Sequence, residues 1–131
     1  MREDLTGLWR FQPDPTGTGE QLGYPELDYD DRRWREVRLP VDFETCHPAL
    51  DTYEGAGWFR RWVTVPEDWQ ERRVVLSFAG VNAHAKVWVN GYEIGSCEDP
   101  FLPFELELQD YLSWDGENLI AVKVEDRKSV V

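Results

Sequence analysis

The sequence predicts an all-β chain folded as an antiparallel sandwich or jelly roll. Three observations predict it. Short stretches alternate apolar and polar residues, as in Phe104-Glu105-Leu106-Glu107-Leu108, the period-two pattern of a strand with one wet face. Turn signals recur between these stretches, the clearest at Pro13 to Glu20, Pro66, Asn90-Gly91 and Asp115-Gly116. No stretch carries the three-to-four-residue spacing of a long amphipathic helix.

Each element can be justified in order. Leu5 to Gln12 reads as a first strand, and Pro13 to Glu20 as a loop rich in Pro, Gly and Thr. Leu27 to Arg33 is acidic then basic and suits a turn or short helix, with Asp28 or Asp30 able to cap it. Trp34 to Leu39 is a strand stopped by Pro40, and Val41 to Gly57 is a long irregular segment. Such a loop in a small domain usually has a function or covers something. Trp58 to Val65 is a strand with Phe59, Arg61, Val63 and Val65 on one face and Trp58, Arg60, Trp62 and Thr64 on the other. Arg73 to Val81 is another. Phe104 to Leu108 follows, then a helical turn at Asp110 to Leu112, and a last strand from Asn118 to Glu125 buries Ile120, Val122 and Val124.

Ala83 to Gly95 carries the strongest local signal. Asn90-Gly91 lies between two strand-like runs, and both residues tolerate the positive φ of a type I′ turn. That turn sets Val89 opposite Tyr92, Trp88 opposite Glu93 and Val87 opposite Ile94. Val87, Val89, Tyr92 and Ile94 then form an apolar face, and Lys86, Trp88 and Glu93 a mixed one, as in a half-buried hairpin.

Composition narrows the function. The 131 residues suit a single domain. The net charge of −12 disfavours nucleic acid, which needs a basic face, and anionic lipid. No apolar run approaches a membrane span, and Met1-Arg2-Glu3-Asp4-Leu5 lacks the apolar centre of a signal peptide, so a chain starting at Met1 is expected in the cytoplasm. Cys46 and Cys97 are far apart, in no metal spacing, and are expected to be free thiols there. His47 and His84 are equally isolated, so no metal or other cofactor is expected. Asp28, Asp30 and Asp31 are the one place to look for a calcium ion held by oxygens. There is no nucleophile elbow, phosphate loop or dinucleotide fingerprint.

Seven Trp, six Phe and five Tyr mostly suit core packing, but they also make sugar-stacking platforms. Sugar sites combine such a ring with a few polar groups in a cleft. Three places can supply that combination: Asp51, Tyr53 and Glu54 in the long loop; Glu98, Asp99 and Phe101 after the hairpin; and Trp88 beside Lys86 and Glu93. Tyr53 and Phe101 equally suit pins that hold their loops to the core. Trp58, Arg60 and Trp62, on one strand face, suit a structural cation–π stack.

Several motifs recur from end to end: Leu5-Thr6-Gly7-Leu8-Trp9-Arg10-Phe11, Trp34-Arg35-Glu36-Val37-Arg38-Leu39-Pro40, Tyr53-Glu54-Gly55-Ala56-Gly57-Trp58-Phe59-Arg60-Arg61, Val65-Pro66-Glu67-Asp68-Trp69, Val87-Trp88-Val89-Asn90-Gly91 and Gly116-Glu117-Asn118-Leu119-Ile120-Ala121-Val122. In this order and at this spacing they resemble the N-terminal sugar-binding domain of glycoside hydrolase family 2, which includes β-galactosidases, β-glucuronidases and β-mannosidases. The resemblance implies a galactose-binding-domain-like jelly roll that performs no chemistry itself. It implies a parent glycosidase in which this domain packs on an immunoglobulin-like domain and a catalytic TIM barrel, with its loops reaching the sugar site.

Glu98-Asp99-Pro100-Phe101-Leu102 is closer to the acidic loop of the β-galactosidase branch than to the loop of glucuronide-specific members. Relatives also continue into a further strand where this chain ends at Arg127-Lys128-Ser129-Val130-Val131. Residues 1–131 are therefore expected to be one jelly-roll domain cut from a larger glycosidase. An unpaired sheet edge would invite a second copy. A free-standing, lectin-like carbohydrate-binding module is the alternative reading.

Overall fold

The computed structural model describes residues 7–39, 55–65, 67–69, 74–78, 84–97 and 104–126. Among them eight strands form two antiparallel sheets: β1 (Gly7–Asp14), β2 (Arg35–Leu39), β3 (Gly55–Thr64), β4 (Val75–Phe78), β5 (His84–Val89), β6 (Tyr92–Cys97), β7 (Phe104–Glu107) and β8 (Glu117–Asp126). The larger sheet runs β2-β1-β3-β8-β5-β6, and the smaller pairs β4 with β7. The fold is the all-β jelly-roll sandwich that the alternation and the turn signals predict.

Several details differ, most by a residue at a strand end. β1 continues through Pro13 to Asp14. β2 has ended opposite Phe11, so at Pro13 β1 is an edge on that side, where a strand tolerates proline. Gly55, Ala56 and Gly57 belong to β3 and pair with β8. The helical turn expected at Asp110 to Leu112 is a plain turn, in which the Tyr111 N–H donates to the Leu108 carbonyl at 2.8 Å.

The principal core lies between the sheets. Trp9, Phe11, Phe59, Val87, Val89, Ile120 and Val122 face Val74, Leu76 and Leu108. Alternation along β1, β3, β5 and β8 puts these side chains on one face, and Phe11 and Phe59, paired across β1 and β3, bring their rings to 5.0 Å. Burial of these chains supplies the main drive to fold, roughly 1.5–3 kcal/mol each.

The turn at Asn90-Gly91 has the expected backbone, with φ of 52° and 86°. Val89 pairs with Tyr92 and Trp88 with Glu93, but Val87 pairs with Gly95 because a bulge intervenes. Ile94 is the extra residue, and it still packs against the core. Tyr92, expected on the apolar face, is 63% exposed.

Asn90 does more than permit a turn. Its Oδ1 accepts from the Leu119 N–H at 2.9 Å, and its Nδ2 donates to the Tyr111 carbonyl and to Asn118 Oδ1 at 2.7 and 2.8 Å. Asn118, fully buried, also accepts from the Ser113 N–H and donates to its carbonyl. The two amides thus satisfy backbone groups of the turn region, three of these bonds being part-buried. Asn90→Ala is expected to lose about 3 kcal/mol in chemical denaturation, combining these bonds with left-handed strain. Asn90→Gly should lose about 1 kcal/mol less, because it keeps the backbone conformation.

Candidate functional site

The register lays out the outer face of the large sheet in rows. Glu36, Arg10, Arg60, Ala121, Trp88 and Glu93 form one row across β2, β1, β3, β8, β5 and β6. Gln12, Trp58, Lys123, Lys86 and Ser96 form the next. This face was expected to be half wet. Instead residues 15–34 lie over it and build a second core of Tyr24, Trp34, Trp58, Trp88 and Ala121, with Tyr29 packed alongside.

Its rings are in contact throughout. Trp58 and Trp88 approach to 4.9 Å, Tyr24 meets Trp58 edge-on at 5.7 Å and Trp34 edge-on at 5.0 Å, and Tyr29 lies 5.0 Å from Tyr24. Ala121 lies between β3 and β5 on the intervening strand, and its small side chain lets the two indoles meet above it. Such pairs add about 0.5–1.5 kcal/mol each to the burial of their area.

Two buried polar groups hold this cover. Asp14 is 4% exposed. It accepts from the Thr18 and Gly19 N–H groups at 3.0 and 2.8 Å and from Trp58 Nε1 at 3.0 Å. A side chain at Gly19 would run into Trp58 Nε1 and lie 2.7 Å from Asp14 Oδ2, so only glycine fits where the segment turns onto the sheet.

Arg60 is completely buried. Its Nη1 donates to the Tyr24 and Glu26 carbonyls at 2.7 and 3.1 Å, its Nε lies 3.1 Å from Asp31 Oδ2, and its Cζ stacks 5.4 and 5.8 Å from the rings of Tyr29 and Trp34. Burial pushes its pKa down, and the Asp31 carboxylate pulls it back up. The sequence suggests a stack with Trp58 and Trp62. The guanidinium turns to Tyr29 and Trp34 instead, because the covering segment brings rings and carbonyls together there. Trp58 has Lys123 Nζ 5.9 Å from its ring.

Of the seven candidate sugar-contacting residues, Asp51, Tyr53, Glu54, Glu98, Asp99 and Phe101 lie outside the described residues. Trp88 is described, and it is 7% exposed. The expectation that it sits on an open mixed face is corrected: it is a member of the second core. Lys86 Nζ lies 5.4 Å from its ring and bridges Glu93 at 2.9 Å and Glu20 at 3.0 Å. Those partners raise the Lys86 pKa, Glu93 foremost.

The strands beside the other candidates share one end of the sheet. Gly55, where β3 begins, pairs with Asp126; Cys97, where β6 ends, pairs with Ala85, which pairs with Val124 on β8. With β8 and β5 between them, these strand ends are about 14 Å apart. The segments that contain Tyr53 and Phe101 thus join the sheet at a common rim.

Two of the three aspartates considered for calcium are engaged elsewhere. Asp31 binds Arg60, and Asp30 accepts from Arg32 Nε and Nη2 at 2.9 and 2.7 Å. No group of three or more His, Cys, Asp or Glu stands ready for a metal among the described residues.

Two clefts open among the described residues. One, of about 340 Å³, opens where the covering segment stops short of Leu8, Arg10, Glu36 and Trp62. The other, of about 400 Å³, lies beside Trp114, Glu67, Asp115 and Glu117. Leu8 and Trp62 were not singled out as a site. Two apolar side chains on the row that continues Arg10 and Arg60 were the available signal.

The fold is that of a jelly-roll domain, with the two candidate-bearing segments joining the large sheet at one end. Residues 19–129 match the model of the glycosyl hydrolases family 2 sugar binding domain, and the chain belongs to that family. It is 31% identical over 122 residues to a β-glucuronidase from Paenibacillus borealis, covering 93% of this chain and 20% of that protein. It is 37% identical over 146 residues to a β-galactosidase from Priestia megaterium, covering 93% of this chain and 14% of that protein. Among solved structures, the Lactobacillus rhamnosus β-glucuronidase superposes with a TM-score of 0.82 at 30% identity, over 96% of this chain and 22% of that one. The Ruminococcus gnavus β-glucuronidase bound to uronic deoxynojirimycin gives 0.83 at 28%, with the same coverage. The chain spans a fifth or less of the curated relatives named here.

Two measurements check the electrostatics. Asp31→Ala would leave Arg60 buried without its carboxylate and is expected to cost about 3–5 kcal/mol by denaturant unfolding. Arg60→Met in the same background should recover part of that loss. Arg32 holds the Asp30 carboxyl at about 2, against an ordinary 3.8, mainly by its side-chain hydrogen bonds. The folded value lies below the unfolded one, so the contact stabilises fully above pH 3.8 and is lost as pH falls through about 2. An NMR titration of Asp30 should show that value, and Arg32→Ala should return it towards 3.8.

Proposed function

We propose that this chain is the non-catalytic accessory domain of a family 2 glycosidase. In this reading it packs on the parent's catalytic TIM barrel and immunoglobulin-like domain and lends loop residues to the carbohydrate site. The observation that carries the reading is the shared rim. Asp51, Tyr53 and Glu54 directly precede β3, and Glu98, Asp99 and Phe101 directly follow β6, at the same end of one rigid sheet. Two segments whose sequences carry rings and carboxylates, both joined to one end of the sheet, suit a wall of a sugar pocket completed by another domain.

The chemistry is assigned to the parent on grounds of size and commitment. A TIM barrel needs roughly 250 residues, and this chain has 131. Retaining hydrolysis needs two carboxylates about 5–5.5 Å apart across the anomeric carbon. The buried Asp14 is tied to Trp58 and backbone amides, and Asp31 to Arg60. The relatives' names include both β-glucuronidase and β-galactosidase, so the sugar belongs to the parent's barrel in this reading.

The 131-residue chain is expected to give no turnover of a chromogenic β-galactoside or β-glucuronide, and affinity in calorimetry no tighter than millimolar for either sugar. Turnover would refute the proposal. Micromolar affinity for one glycan would make the chain a lectin in its own right.

A further inference from the structure

We propose that the cleft between the covering segment and the β1–β3 face is a second carbohydrate subsite, which holds one neutral pyranose ring against Trp62. It lies on the outer face, on different residues from the loop candidates of the rim. It rests on the sugar-binding reading only for the class of ligand.

The cleft, of about 340 Å³, falls within the size range of small-ligand sites. Its chemistry has two parts. Leu8 and Trp62 are 52% and 41% exposed, an apolar strip on a sheet face whose neighbouring rows are covered. An indole with one free face is the surface on which the C–H side of a pyranose stacks. Beside it stands an ion-pair network. Arg10 Nε lies 3.9 Å from Asp31, Arg10 Nη2 lies 3.8 Å from Glu36, and Asp31 is held by Arg60 at 3.1 Å. Arg10 Nη1 also donates to the Asp31 and Arg32 carbonyls at 3.4 and 3.2 Å.

This network selects the ligand. Asp31 and Glu36 already face Arg10 and Arg60, and Arg61, which also lines the cleft, is engaged at the Trp9 ring, 5.9 Å away, so a free anion would have to compete with Asp31 and Glu36. A polyol need not, because hydroxyls donate to a paired carboxylate and accept from a paired guanidinium at once. Two Arg60 nitrogens make no hydrogen bond among the described residues: Nε, which has only its ion pair with Asp31, and Nη2, on a side chain that lines the cleft and is fully buried. A buried guanidinium N–H without an acceptor costs free energy, and a ligand hydroxyl would relieve it. The second cleft lacks this combination. Trp114 is there, but its charged neighbours Glu67, Asp115 and Glu117 are all acidic.

The test is an NMR titration of the 131-residue chain with lactose, cellobiose and sodium glucuronate, read at the Trp62 indole N–H and the Leu8 methyls. Saturable millimolar shifts at both with a neutral disaccharide are expected. Trp62→Ala should weaken the affinity, read at Leu8, by about tenfold or more. Glu36→Gln, a change at an exposed side chain, should weaken it without unfolding the protein, so the result stands even if the tryptophan variant fails to fold. Tyr92→Ala should leave it unchanged. No saturable shift at Trp62, shifts with glucuronate alone, or binding indifferent to both Trp62→Ala and Glu36→Gln would overturn the inference. Shifts confined to Tyr53 and Phe101 would overturn it too, while leaving the accessory-domain reading in place.

Discussion

The Arg60 side chain is fully buried, and every group that pairs with its Nε and Nη1 or stacks on its plane comes from residues 24–34. That constraint ties the covering segment to the sheet. A buried cation without its carboxylate and carbonyls is costly, so the segment and β3 must fold together. Lysine could not replace it, because a point charge cannot span two carbonyls, a carboxylate and two ring faces at once.

With the segment in place, the large sheet is buried on both faces. The inner core between the sheets is aliphatic with a few rings, and the outer core is almost wholly aromatic. The division has a geometric cause. The inner space is bounded by two regular sheets and is filled by side chains of moderate size standing perpendicular to them. The outer space is bounded by an irregular segment, and wide flat rings with polar edges fill it while still reaching carbonyls and carboxylates. Asp14 closes this layer at one end and Arg60 near the other, and only beyond Arg60 does the sheet face open again, at Leu8 and Trp62.

The proposed accessory role asks for a firm frame. Long antiparallel ladders, β3 with β8 above all, set both ends of the sheet rigidly. The charge pattern agrees. Among the described residues the buried Asp14 and Arg60 have local partners, and Glu20, Glu93, Asp115 and Glu117 are exposed, where a charge costs little.

What the sequence alone determined was everything that depends on neighbours along the chain. Alternation marked the strands, Asn90-Gly91 marked the hairpin and its first two pairs, and the order of motifs pointed to the family. These are local matters of backbone preference and side-chain period. The tertiary structure decided the rest. Alternation says which residues share a face but not whether anything covers it, so Trp88 read as a half-exposed platform and is core. Tyr24, Tyr29 and Trp34 are spaced five apart, which matches neither a strand nor a helix, so no period announced that their segment would lie on the sheet. The bulge at Ile94 was hidden for a similar reason, since a shifted register shows only when a second strand fixes the pairing. The partners of Arg60, up to thirty-six residues away, could be found only by folding the chain, because a buried charge chooses whichever groups the fold brings to it.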